Sequence, residues 1–329
     1  MSSPETLLSP YGSVGESLAC VPQPNASTST ERTLLLIKIL EYYFRPMCQG
    51  LRKGYPDRII TEFGNAVERR KNVPHIEGLK EFSDTIEKIR DSNEHPHILV
   101  VANHPDFLRT RLQSPLWFMS VPYTMGKILG RDPYVFVNGD FVPEIVARNT
   151  RLLRVMASEN SVILKMSSEA MLDERPNGFF ILPEGTTAKD DCMMKARSGG
   201  TLRPMEAAVK NDRNLVVLPV AFIQRSARRG DKVLIPGHDE YIVRTGDHVS
   251  AKDLLPAGYK FDIHDINEGR EQRRPVIDGI MTDIAEMMPP EKRGYYARRV
   301  DERERKRLKN QSPAEPLVLF QGIQGRIIN

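Results

Sequence analysis

Cysteine is scarce in this chain: Cys20, Cys48 and Cys192 are odd in number and lack any paired spacing. Their rarity excludes a disulfide framework and a cysteine-built zinc cluster, and it fits a reducing compartment. Net charge is slight as well. The 47 basic and 43 acidic residues leave a formal +4, which gives no reason to expect nucleic acid as a partner. Long apolar runs are missing, since nothing approaches the roughly 20 apolar residues that cross a bilayer. The first residues have neither the basic start nor the apolar centre of a secretory signal, so the expected location is cytoplasmic. No phosphate loop ending in Gly-Lys-Ser or Gly-Lys-Thr occurs, and no Gly-x-Ser-x-Gly elbow. Kinase, nucleotide hydrolase and serine hydrolase readings lose their usual support.

What the chain does have is three short apolar runs that stop abruptly. Ile98-Leu99-Val100-Val101-Ala102 ends at Asn103-His104-Pro105-Asp106. Gly178-Phe179-Phe180-Ile181-Leu182 ends at Pro183-Glu184-Gly185-Thr186-Thr187. Leu215-Val216-Val217-Leu218 passes into Pro219-Val220-Ala221-Phe222. Continuous runs of this length, separated by segments that can hold helices, predict an α/β fold with a mostly parallel central sheet flanked by helices. Ligands of such sheets bind just beyond the carboxyl ends of the strands, which is where His104 and Glu184 fall. A hydrophobic content of 40% is enough for a sizeable core.

Around these runs the chain divides into four parts. Residues 1–30 are rich in Ser, Thr and Pro and read as a disordered tail. Residues 31–95 form an N-terminal helical segment. Its first helix, from Thr33 to Arg45, has a wide apolar face that either packs on a core or dips into a membrane surface. Residues 96–290 form the α/β domain. Within it, 120–160 reads as irregular, with Arg148, Arg151 and Arg154 spaced to share a helix face. The pair His95 and His97 has metal-like spacing, but no third ligand lies near it in sequence and an exposed loop is the simpler reading. Residues 291–329 form a charged extension. Its stretch from Ala297 to Lys309 holds seven arginines and lysines interleaved with acids, which marks a solvated helix. The basic excess could also draw it to an anionic membrane, at about 1 kcal/mol per basic residue.

His104 is a candidate general base. It follows a buried strand, and Pro105 and Asp106 suit the first turn of a helix whose amino terminus keeps the imidazole neutral. A reference pKa of about 6.5 puts the ring in range to deprotonate an alcohol. The bland alternative is a histidine that only caps that helix.

With those blocks in order, the chain resembles the glycerolipid acyltransferases, that is, the lysophosphatidic acid and glycerol-3-phosphate acyltransferases. The resemblance runs from about residue 95 to 225. It rests on Asn103-His104, a weak second block around Lys127, Gly139 and Arg148, the Pro-Glu-Gly-Thr block at 183–186, and Val217 to Ala221. The basic turn Lys195-Ala196-Arg197-Ser198-Gly199-Gly200 also falls where the family has one. The resemblance implies transfer of an acyl group from acyl-CoA or acyl carrier protein to a hydroxyl of a lysophospholipid or glycerol phosphate-like acceptor, with no cofactor or metal. It implies His104 as the base and a binding or orienting role for Glu184, Gly185, Thr186 and Thr187, with Arg148 and Lys195 as further binding residues.

Two positions depart from the family pattern. Where the family has an aspartate five residues after the histidine, this chain has Arg109, which leaves Asp106 as the carboxylate available to orient the ring. Where the family commonly has an arginine for the acceptor phosphate, this chain has Thr187. Arg148, Lys189, Lys195 and Arg197 are the cations that could compensate. Three readings therefore stand at this stage: a glycerolipid-type acyltransferase in the cytoplasm with peripheral membrane contact, a catalytically impaired relative that binds lipid or protein, and an acyltransferase for a non-glycerolipid acceptor.

Overall fold

The computed structural model describes residues 58, 60–62, 64–65, 76–92, 94–104, 114–138, 151–155, 160–185, 192–225, 228–229, 232–233, 240–261 and 266–311. All belong to one compact unit, Pro46–Asn329. The tail at 1–30, the helix expected at 33–45, and the site candidates Asp106, Arg148, Thr186 and Thr187 lie outside the described residues.

In chain order the elements are β1 (Ile76–Glu77), α1 (Leu79–Arg90), β2 (His97–Ala102), α2 (Ser114–Leu129), β3 (Tyr134–Asn138), β4 (Leu152–Val155), α3 (Asn160–Met171), β5 (Gly178–Ile181), α4 (Ser198–Lys210) and β6 (Leu215–Arg225). They continue with β7 (Arg228–Arg229), β8 (Lys232–Val233), β9 (Glu240–Thr245), β10 (Val249–Ser250), α5 (Ala251–Leu254), α6 (Ile266–Met287) and α7 (Ala297–Gln311). Eight strands form one sheet in the order β1-β9-β6-β2-β5-β3-β4, with β10 also on β6. The five strands from β4 to β6 are mutually parallel, and β9 turns antiparallel on β6. The expected α/β class, a mostly parallel sheet flanked by helices, is what the chain adopts. Among the described residues no helix is long and apolar enough to cross a membrane.

Period-two alternation explains why apolar runs without a polar face become the central strands. On β2, Leu99 and Val101 enter a core shared with α3, α4 and α6, while Ile98, Val100 and Ala102 enter a second core shared with α1 and α2. Burying both faces removes any place for a polar residue. Helix α1 supplies Phe82, Ile86 and Ile89, at the spacing that brings side chains onto one helical face. Residues 76–92 thus pack into the same cores as the strands.

Pro219 sits in the middle of β6, where a proline normally breaks a ladder. Its position is harmless because the neighbour changes there. Val216 and Val217 pair with β10, Val220 to Arg225 pair with β9, and in between Gly246 donates its N–H to Pro219 O at 2.9 Å. A strand residue points its N–H and C=O to the same side, so the missing donor faces this gap.

The region expected to be irregular is more ordered than its composition implies. Residues 120–129 continue α2 through Pro122, and β3 and β4 extend the sheet. The exposed loop expected at His97 is also corrected: His97 opens β2, is only 5% exposed, and accepts the Asn177 N–H on Nδ1 at 3.0 Å. Burial, with the charges of Arg131 and Arg213 behind it, pushes its imidazole down to about 4. The folded chain therefore holds a neutral ring. His97 contributes fully above its ordinary value of 6.5, and that contribution is lost as the pH falls toward 4. Urea unfolding from pH 7 to pH 4 should show this loss, up to about 3 kcal/mol, and His97→Gln should flatten the profile across that window.

Candidate active site

The strands β2 and β5 are adjacent and parallel, from Ile98 beside Gly178 to Val101 beside Ile181. Their carboxyl ends therefore emerge side by side. Beyond β5 the chain turns at once: Gly185 donates its N–H to Leu182 O at 3.1 Å, closing a four-residue turn with Pro183 second. Proline presets the backbone angle that position needs. Gly185 has φ +61°, in the left-handed region, and glycine meets that demand without strain.

Beyond β2, Asn103 adds one more rung to the sheet through its side chain. Nδ2 donates to Phe222 O at 3.0 Å and Oδ1 accepts the Phe222 N–H at 2.6 Å. Both bonds are buried. They pin the start of the loop against β6 while the next residue faces β5. His104 donates its backbone N–H to Glu184 Oε1 at 2.8 Å.

The second oxygen of Glu184 takes the Met194 N–H at 2.6 Å, and Arg197 N–H donates to Pro183 O at 2.7 Å. Residues 193–197 thus run as a strap along the turn and lead into α4. Glu184 is 1% exposed, and both of its oxygens are engaged by backbone donors. What this geometry gives Glu184 is a joining position between the His104 and Met194 backbones. Burial pushes its carboxyl up to about 8, against the pull of the two N–H donors.

The strap delivers one cation to the turn. A Cβ on Gly185 would stand 3.2 Å from Arg197 Cδ and 3.3 Å from Nε, so the guanidinium arm lies against the bare glycine. Gly185 and Arg197 are both exposed. Lys195, also exposed, holds its Nζ 5.6 Å from the ring centroid of Tyr295. Of the two compensating cations among the described residues, Lys195 and Arg197, the one packed on the Pro-Glu-Gly turn is Arg197. Only the fold of the strap decides between them, because 195 and 197 are equivalent in composition and spacing.

A half-buried imidazole residue, a glycine-exposed turn and a guanidinium thus meet at the ends of two parallel strands. Such a group can accept a proton at the histidine and hold an anionic or oxyanionic group near the arginine. No group of three or more His, Cys, Asp or Glu able to hold a metal occurs among the described residues. Compared with known proteins, the chain matches no family model and no curated protein.

Replacing Glu184 tests the joint directly. Glu184→Gln keeps the shape but turns one acceptor into an amide donor aimed at another N–H, and should cost about 1–3 kcal/mol in urea unfolding. The pH dependence carries a sign of its own. An acid raised from 4.5 to about 8 by folding stabilises fully below pH 4.5 and loses that contribution as the pH rises through 8. The wild-type urea midpoint should therefore decline between pH 5 and about 9 by more than that of Glu184→Gln.

Proposed function

We propose that the chain is an acyltransferase of the glycerolipid type, moving a fatty acyl group from acyl-CoA or acyl carrier protein to an acceptor hydroxyl. The observation that carries this reading is the bond from the His104 N–H to Glu184, which ties the histidine block to the Pro-Glu-Gly turn at adjacent strand ends. The resemblance read from the sequence requires these two blocks to share one site. Had they lain on different edges of the sheet, the reading would have no support.

In this mechanism the His104 imidazole takes the proton of the acceptor hydroxyl as its oxygen attacks the thioester carbonyl. A C–O bond forms, and the carbonyl oxygen carries the negative charge of the tetrahedral intermediate. Collapse breaks the C–S bond and expels the thiolate, which takes the proton back from the imidazolium. Arg197 contacts the phosphate of the acceptor, in the role that Thr187 cannot fill. Holding both substrates in one cleft supplies proximity. The acceptor is a lipid or lipid precursor, and the protein works in the cytoplasm with peripheral contact to a membrane.

Arg109, at the position where the family pattern has an orienting aspartate, favours a second reading: a relative that has lost turnover and keeps lipid or protein binding. Thr187 favours a third, an acceptor without phosphate.

A panel of lysophospholipids, glycerol phosphate and unphosphorylated alcohols, assayed with labelled acyl-CoA, separates the three. His104→Ala should lower kcat by about 10²–10⁴-fold with the urea midpoint unchanged. Undiminished turnover by that variant rejects the mechanism, and saturable lipid binding without turnover by the wild type selects the second reading. Arg197→Ala should raise KM about tenfold or more for phosphorylated acceptors and leave unphosphorylated ones unaffected.

A further inference from the structure

The strap 193–197 is held from two sides, and the side remote from the Pro-Glu-Gly turn takes no part in the chemistry proposed above. On that side Met193 donates its N–H to Lys292 O at 3.0 Å and accepts the Tyr295 N–H at 2.9 Å. This two-rung pairing joins the strap to the segment before α7. Gly294 permits the approach: it has φ +49°, and a Cβ there would stand 2.2 Å from Met193 O.

The peptide groups of Ala196 are engaged at both ends. Its N–H donates to the Tyr296 hydroxyl at 3.0 Å, and its carbonyl accepts from Arg274 Nη1 at 2.6 Å. The hydroxyl donates in turn to Asp278 Oδ1 at 3.1 Å, and the other oxygen of Asp278 takes Arg299 Nη2 at 2.8 Å. Tyr296 and Asp278 are fully buried. Burial holds the Tyr296 phenol well above its ordinary range, so it stays protonated and can accept from the strap while donating to α6.

The contacts alternate along the strap. Met193 and Ala196 are bound toward α6 and α7, whereas Met194 and Arg197 are bound to Glu184 and Pro183. A strap gripped in this alternating manner cannot rotate about its own axis without breaking one set of bonds. Such a rotation is the motion that would lift the Arg197 side chain from Gly185.

We propose that Tyr296, before α7, and Arg274, on α6, are positioning residues, which clamp the Ala196 peptide and thereby hold the Arg197 guanidinium against the Pro-Glu-Gly turn. The proposal rests on the reading of that turn as the acceptor side of an acyltransferase site. It places part of the determinant of acceptor binding on a hydroxyl about 100 residues beyond the strap, a sequence separation of 100.

Tyr296→Phe removes the hydroxyl and keeps the ring. Acceptor KM should rise about tenfold, with kcat and donor KM within about twofold of wild type. In hydrogen exchange, the amides of 193–197 should exchange about tenfold faster, while β6 keeps wild-type protection. Unchanged exchange in the strap overturns the proposal. So does faster exchange spread equally over the strap and β6, with kcat falling and KM constant, because that pattern marks loss of packing alone. Should Tyr296→Phe not fold, Arg274→Met gives the same two readouts, since the Arg274 side chain is 31% exposed and its loss frees the Ala196 carbonyl. If the wild type transfers no acyl group to any acceptor in the panel, the functional reading fails, and the exchange measurement still decides whether the clamp holds the strap.

Discussion

One buried carboxylate joins the parts on which everything else at this end of the sheet depends. Glu184 receives the N–H of His104, 80 residues away in sequence, and the N–H of Met194, ten residues away. Neither donor belongs to a ladder or helix that would otherwise satisfy it, and a buried N–H left alone costs about 1–3 kcal/mol. The carboxylate solves both problems with one side chain. Its own desolvation is the opposing cost, visible in the rise of its pKa to about 8.

Around that joint the chain builds outward by polar contacts laid over apolar packing. Asn103 pins the first loop to β6, and the strap is gripped by Glu184 and Pro183 on one side and by Tyr296 and Arg274 on the other. The grip extends to α7. Arg299, Arg303 and Arg307 recur every four residues and meet Asp278, Asp283 and Glu286 of α6, while Tyr296 and Val300 add apolar cover. Residues 292–307 thus pack against the structure that carries the strap.

The parts of this arrangement that lie along single strands were legible in the sequence. The runs at 98–102, 178–182 and 215–222 announce themselves because a strand buried on both faces has no room for polar residues. Their abrupt ends also put His104 and Glu184 at the carboxyl ends of strands, while the adjacency of those two strands is a property of the sheet order. What failed was any feature decided across the fold. The second half of α2 and β3 fell in the stretch 120–160 expected to be irregular, because prolines and glycines punctuate it. The buried ring of His97 is met by the N–H of Asn177, the residue just before β5. The helix expected to be solvated at 297–309 is indeed mostly exposed, and only the pairing of its arginines with acids of α6, about 20 positions earlier, was hidden. The choice of Arg197 over Lys195 depended on how the strap lies on Gly185.

The Pro-Glu-Gly sequence has a physical meaning that differs from the one its chemistry first invites. Pro183 sets the turn, and its carbonyl anchors Arg197. Glu184 offers two oxygens as acceptors, at a reach that spans two backbone segments. Glutamine supplies a donor where an acceptor is needed, and aspartate lacks one methylene of reach. Gly185 is bare because φ +61° disfavours other residues, and the Arg197 side chain lies against it. Each requirement concerns how segments are joined. The glutamate is sealed from solvent, and the exposed part of the turn is Gly185 with the Arg197 side chain beside it. On this account the block is a joint between the His104 backbone on one side and the strap that carries Arg197 on the other.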